Sequence, residues 1–305
     1  MQDAALATAL VDGISTVFRG HRRAAELTIT GWLARGHLLV EDVPGVGKTT
    51  LARALAAATG GSFKRIQCVP DLMPADITGT SVWDEHERRF VFHPGPVFCD
   101  VLLADELNRT PPRTQSALLE ALAEGQVTAD GEARPLAERF CCIATQNPID
   151  HAGTYPLPDS QRDRFLLRFA LGYPDQSAEL ELMRRDGAGA DLARLGAVVD
   201  AAGAAHLRQA AAAIAVSDEV RGYALAVIRA TRASKGLALG ASPRAALGLQ
   251  RLAQARALLA GRSFTTPDDV QGIAVEALAH RVVPRGAGDP EQAVRDVVAA
   301  VPVPR

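Results

Sequence analysis

The chain is 305 residues long, 48% hydrophobic and 5% aromatic, with a formal net charge of −2. That length accommodates a large core and two domains, and Ala-rich stretches with few aromatics favour helix-rich packing. The near-neutral balance excludes bulk electrostatic attraction to nucleic acid, leaving only local basic patches, and no segment approaches the length of a membrane span.

Residues 3–35 carry apolar positions at helical spacing and predict one or two helices leading to a first strand at 37–41. A Gly-containing loop follows, then a helix from Thr49 that is stopped by Gly60-Gly61. Residues 63–68 read as a strand and 79–92 as a hairpin, with a polar turn through 84–87. A buried strand is expected at 101–104 and a helix after Pro111-Pro112. A second hairpin at 126–136 turns on Asp130-Gly131, and strands follow at 140–144 and 166–169. Short apolar runs alternating with helices predict a parallel sheet covered on both faces. From Tyr173 onward no strand is expected. Helical patterns fill the remainder, broken near 187–189, 236–240, 261–267 and 284–290. The organisation is therefore α/β over 1–172, followed by a helical linker and lid over 173–305. The four cysteines (Cys68, Cys99, Cys141, Cys142) fall in or beside expected strands without metal-ligand spacing. They read as reduced apolar fillers of a cytoplasmic protein.

Chemistry concentrates at the ends of three strands. Pro44, Gly45, Val46 and Gly47 can wrap backbone N–H groups around phosphate oxygens, and Lys48, Thr49 and Thr50 open a helix whose N-terminus favours anions. Lys48 would reach the outer phosphates of a nucleoside triphosphate, and the Thr49 hydroxyl would hold Mg²⁺. Asp105 ends an apolar strand, placed to bind Mg²⁺ directly or through water, and Glu106 could polarise an attacking water. Either acid alone would read as a solvent-facing strand end; the phosphate loop raises the functional reading above it. Asn147, in Gln146-Asn147-Pro148, would sit at another strand end, where its amide could bond both the water and the γ-phosphate; alone it would read as a turn former. Arg164 can stabilise γ-phosphate charge, projecting into a neighbouring subunit's site, with Arg162 competing for that role. Arg244 follows Ser242-Pro243, an N-cap and first-turn proline, and could couple lid position to the nucleotide's phosphates. The plain alternative for all three arginines is a surface cation.

These residues lie in stretches that resemble the MoxR family of AAA+ ATPases: VEDVPGVGKTTLARAL, PDLMPADITG, FHPGPVFCDVLLADELNRTPPRTQSALLEALAEGQVT, ATQNP, GTYPLPDSQRDRF, GASPRAAL and FTTPDDV. The resemblance runs from about His37 to Val283. It implies a P-loop three-layer αβα core with a C-terminal helical lid, and ATP and Mg²⁺ as ligands. By resemblance Lys48 and Thr49 belong to Walker A, Asp105 and Glu106 to Walker B, and Asn147 is sensor 1. Arg164 looks like the arginine finger and Arg244 like sensor 2. The hairpins at 79–92 and 126–136 would be the helix-2 insert and the pre-sensor-1 hairpin, shared with magnesium chelatase and replicative helicase relatives. The segment around Gly20-His21 would wall the base pocket. Two departures stand out: Asp42 replaces the first Walker glycine, and Arg162 stands where the family usually has an apolar residue.

The resulting expectation is an ATP-hydrolysing ring, hexameric by resemblance, that remodels protein partners, among them proteins with von Willebrand factor A domains. A nucleic-acid motor or loader is the first alternative. The hairpin tips mix Arg88 and Arg89 with Asp84, Glu85 and Glu87, and Arg134 with Asp130 and Glu132, which disfavours a nucleic-acid grip. A nucleotide-gated scaffold with little turnover is the second.

Overall fold

In a computed structural model the described residues are 2–148, 153–184 and 189–304. Two helices, α1 (Gln2–Val17) and α2 (Arg22–Leu33), precede strand β1 (Leu38–Glu41), which feeds α3 (Lys48–Ala58) and then β2 (Phe63–Gln67). A short α4 (Pro74–Thr78) leads into the hairpin β3 (Gly79–Asp84) and β4 (Arg89–Pro94), and β5 (Val101–Asp105) follows. After a 3₁₀ turn at Leu107–Arg109 come α5 (Pro112–Glu124), the hairpin β6 (Gln126–Ala129) and β7 (Glu132–Pro135), β8 (Cys141–Gln146), α6 (Asp159–Arg162) and β9 (Leu167–Phe169).

The five long-range strands form one parallel sheet in the order β2-β5-β8-β1-β9. Its inner strands are apolar without alternation because helices cover both faces. The pleat still sorts their side chains. Leu38, Val40, Val101, Leu103, Cys141 and Ile143 join the core beneath α1–α3, whereas Leu39, Leu102, Ala104, Cys142 and Ala144 join the core beneath α4 and α5. Both hairpins form as expected. The second turns on Asp130 (φ 54) and Gly131 (φ 78), positive angles that match the twist of an antiparallel pair.

Beyond Gly172 the chain continues as α7 (Gln176–Arg184), α8 (Gly189–Arg194), α9 (Ala201–Ala213), α10 (Asp218–Ala233), α11 (Pro243–Leu259), α12 (Pro267–Leu278) and α13 (Pro290–Ala300). The break expected near 187–189 lies largely outside the described residues. The expectation of a strand-free second half is corrected. β10 (Leu237–Leu239) pairs antiparallel with β11 (Val283–Pro284), matching Leu237 to Pro284 and Leu239 to Val283. Each is too short to show alternation, and the flanking glycines at 236 and 240 read as a break. The pairing depends on bringing together segments on either side of α11 and α12. Helices α9–α13 contribute to the same apolar cluster as α1–α3, with α9 and α11 packed on α1 and α2 and α12 against β9. Among the described residues no helix is long and apolar enough to cross a membrane.

Candidate nucleotide site

The carboxyl ends of β1, β2, β5 and β8 open onto a cavity of about 390 Å³ lined by Pro44, Gly45, Gly47, Lys48, Thr49, Arg65, Gln67, Asp105, Glu106 and Asn147. The loop that floors it needs its glycines. Gly45 and Gly47 have φ of 87° and 94°, and a Cβ on Gly47 would lie 2.6 Å from the Phe18 ring. Gly47 is the N-cap of α3 and supplies no side chain, so the first-turn N–H groups of that helix face the cavity without a side-chain cap. Lys48 Nζ donates to the backbone carbonyl of Asp42 and, at 3.3 Å, to that of Gln146. Burial pushes its ammonium below the usual lysine range, opposed by the charges of Asp42, Asp105 and Glu106.

Asp42 has a different task from the glycine it replaces. It is 8% exposed, and its carboxylate accepts the N–H of Val43 at 2.7 Å and those of Leu171 and Gly172 at 2.6 Å each. It therefore ties the exit of β1, where the phosphate loop begins, to the segment that leaves β9 for the second half of the chain. Asp42 is not among the residues that line the cavity.

The acidic edge is held by residues that the sequence reading did not single out. The buried Thr145 hydroxyl donates to Asp105 Oδ1 at 2.6 Å and accepts the Glu106 N–H at 2.9 Å, joining β8 to the end of β5. Arg65 donates to Asp105 Oδ2 at 2.7 Å and to Gln67 Oε1 at 2.8 Å, while Gln67 Nε2 donates to Glu106 Oε2 at 3.0 Å. Arg65 and Gln67 share a face of β2 and reach the acids because Gln67 lies opposite Asp105 in register. Glu106 adopts φ 59° and ψ 48°, a left-handed conformation costly for a residue with a side chain and typical of functional turns. Arg65 and Gln67 carry no sequence signal beyond the strand expected at 63–68, which does not say which acid its polar side chains meet.

A second cavity of about 210 Å³ adjoins the first through Gly45 and Gly47. It is lined by Val17, Phe18, Arg19, His21, Val46, Thr50 and Pro174, with the Phe18 and His21 rings stacked at 4.7 Å. Val46 and Thr50 thus face this side of the loop.

The described residues lining the phosphate cavity include neither Arg164 nor Arg244. Both line a separate cavity of about 300 Å³ at the amino ends of β1 and β9, beside α11, with Arg35, His37, Asp163, Arg251 and Arg281. Arg164 Nη1 donates to the Leu119 carbonyl at 2.9 Å, and Arg162 is engaged by Asp159. The single chain therefore brings together Lys48, Thr49, Asp105, Glu106 and Asn147 and sets the two arginines apart.

A family model described as the ATPase family associated with various cellular activities (AAA) matches residues 37–167, and one described as an AAA lid domain matches 229–301. The chain is 42% identical to the uncharacterized protein YeaC of Bacillus subtilis, over 96% of this chain and 93% of that one. It is 39% identical to Chaperone MoxR1 of Mycobacterium tuberculosis, over 88% of this chain and 74% of that one. A crystal structure from Cytophaga hutchinsonii, of a protein assigned as an ATPase, superposes with a TM-score of 0.91 at 32% identity, covering 100% of this chain and 96% of that one. The phosphate loop, the acidic strand end, the lid and these likenesses agree: the chain belongs to the MoxR family of AAA+ ATPases.

Proposed function

We propose that the chain hydrolyses ATP with Mg²⁺ as part of a ring of identical subunits, a hexamer by family resemblance, and uses the energy to remodel protein partners. One observation supports this above the others: the candidate residues line two separate cavities. One face has a phosphate cradle with acids and no Arg164 or Arg244; another has those arginines and no cradle. Head-to-tail packing of copies would join the halves and close a ring. In this reading residues 1–172 form the nucleotide-binding core and 173–305 the linker and lid.

Within the cradle, Lys48 and the N–H groups of Gly45–Thr50 would hold the phosphates, and the stacked Phe18–His21 wall would take the adenine. The Thr49 hydroxyl and Asp105 carboxylate are hard oxygen donors beside that cradle, which fits Mg²⁺. Bound there, Mg²⁺ would neutralise and clamp the outer phosphate oxygens. Glu106 would accept a proton from the attacking water, held for that task by Gln67, and Asn147 would orient the water against the γ-phosphate. Arg164 and Arg244 of the next subunit would stabilise the charge that develops.

A protein partner, such as one with a von Willebrand factor A domain, fits the hairpins better than nucleic acid does. Arg89 is paired with Glu87, and Arg134 with Glu132 while it also covers the Phe92 ring at 3.9 Å. Beside the mixed charges at its tip, including exposed Arg88, the first hairpin exposes the aromatic pair Trp83 and Phe90, 50% and 69% accessible. The four buried free cysteines support a reducing, cytoplasmic setting. The test is ATPase activity per chain against protein concentration, with assembly followed by light scattering and Mg²⁺ omitted in a parallel series. Activity should rise as the ring forms and vanish without Mg²⁺. A monomer that hydrolyses as fast as the assembly would sink the ring reading.

A further inference from the structure

The arginine-lined cavity sets a physical problem: Arg35, Arg164, Arg244, Arg251 and Arg281 converge, and among the described lining residues Asp163 is the one acid. The two arginines of interest come from different layers. Arg164 lies between α6 and β9 on the sheet side, whereas Arg244 sits in the first turn of α11. Their mutual placement depends on how those layers are joined.

Asp163 makes that joint. The hydroxyl of Ser242, which caps α11 by accepting the Ala245 N–H at 3.2 Å, lies 3.0 Å from Asp163 Oδ2 and 3.2 Å from Oδ1. Arg281, in the 3₁₀ turn Ala279–Arg281, brings Nε to 3.1 Å from Asp163 Oδ1 as an ion pair. The same turn grips the main chain beyond Arg164: Arg281 Nη2 donates to Phe165 O at 2.7 Å and His280 Nε2 to the same oxygen at 2.9 Å. Arg281 is 6% exposed, and burial pushes its guanidinium down to about 10, with Asp163 opposing the shift and Arg244 adding to it. A buried cation of this kind is tolerated because it is paired. The layers also touch closely at Gly248, where a Cβ would lie 2.7 Å from Leu166 Cδ1 and 3.3 Å from Arg281 Nη1.

We propose that Asp163 is a positioning residue for the arginine half-site. It latches the lid, through Ser242 and Arg281, to the segment carrying Arg164. Arg164 and Arg244 are thereby held in register to receive one anion, the terminal phosphate of a nucleoside triphosphate bound by a second copy of the chain. This inference rests on the ring reading given above. Asp163 touches no nucleotide itself; it acts through the two arginines.

The experiment uses the full-length chain and compares Asp163→Ala, Asp163→Asn and Ser242→Ala by ATP affinity, kcat and KM. Asp163→Ala should lower kcat by about 10- to 100-fold, the scale on which misplaced catalytic groups act, with ATP affinity of its own cradle unchanged. Asp163→Asn keeps an acceptor for Ser242 and loses the charge for Arg281, so its kcat should fall between wild type and Asp163→Ala. Ser242→Ala should show a smaller loss of the same kind. Should Asp163→Ala fail to fold, the other two variants carry the test. Mixing Asp163→Ala chains with Lys48→Ala chains should restore activity, because some interfaces then pair an intact cradle with an intact arginine half. Unchanged kcat, or a loss of ATP affinity in place of kcat, overturns the proposal. So does a silent mixture when Arg164→Ala mixed with Lys48→Ala is active. If that control mixture is also silent although the chains co-assemble, the ring reading fails and takes the proposal with it.

Discussion

The phosphate cavity and the arginine cavity are built by different means. In the first, the functional side chains come from the carboxyl ends of β2, β5 and β8 and from the loop and helix start that follow β1, and neighbouring strands hold these ends in register through β1–β8, β5–β8 and β2–β5 pairing. In the second, the five arginines come from four places: after α2, after α6, on α11 and in the 3₁₀ turn after α12. Backbone hydrogen bonds fix the cradle, whereas side-chain contacts between core and lid fix the arginine half. The lesson is that the two regions should fail differently: changes in the Pro44–Thr49 loop alter what the chain binds, whereas changes among the arginines alter only how fast it turns over.

The largest effect should break the comparison most cleanly. Arg164→Ala is expected to lower kcat by about 10³-fold, the low end of what an arginine supplied to a γ-phosphate is worth, while ATP affinity measured by nucleotide titration stays the same. An equal loss of affinity would place Arg164 in its own chain's site. Glu106→Gln removes the base and should lower single-turnover hydrolysis by about 10²-fold or more with ATP still bound; retained turnover would move the base elsewhere. Lys48→Ala acts on the other observable. Its ATP affinity should drop by at least about tenfold, and unchanged binding would contradict the placement of the loop.

Smaller effects sharpen the picture. Asp42→Ala strips a buried acceptor from the Leu171 and Gly172 N–H groups and should cost about 1–3 kcal/mol in urea denaturation. Loss within a few tenths of a kcal/mol would mean the tie carries no load. His37, beside the arginine cavity, accepts the Cys142 N–H at Nδ1 and donates from Nε2 to Leu122 O, and burial holds its pKa at about 4 against the usual 6.5. Above pH 6.5 both folded and unfolded states are neutral there and it contributes nothing. As pH falls from 6.5 toward 4 the unfolded state takes up the proton first, so stability should drop by about 1 kcal/mol per pH unit from this group. His37→Gln should flatten that part of the stability profile, and an unaltered slope would show that the ring is not held neutral.

Much of the core was legible in the sequence because its determinants are local. Apolar runs predicted β1, β5 and β8; Gly45 and Gly47 marked the loop; Asp130-Gly131 marked the hairpin turn; Ser242-Pro243 marked the start of α11. Residues such as Arg65, Gln67 and Thr145 were not legible, since their importance comes from strand register and each is an ordinary polar residue on its own segment. The pairing of β10 with β11 was missed for the same reason: residues 237–239 and 283–284 carry no pattern, and only the packing of α11 and α12 brings them together.

The sequence alone thus determined a glycine loop opening α3 and an acidic strand end beside it, because backbone conformation and short-range spacing encode both. Tertiary structure decided that Asp42 is a strut to Leu171 and Gly172, that Arg65 and Gln67 face the acids, and that Arg164 and Arg244 share a cavity away from the cradle. Those facts depend on contacts between residues tens to hundreds of positions apart, and such contacts follow from how sheet and lid pack, which no local pattern records.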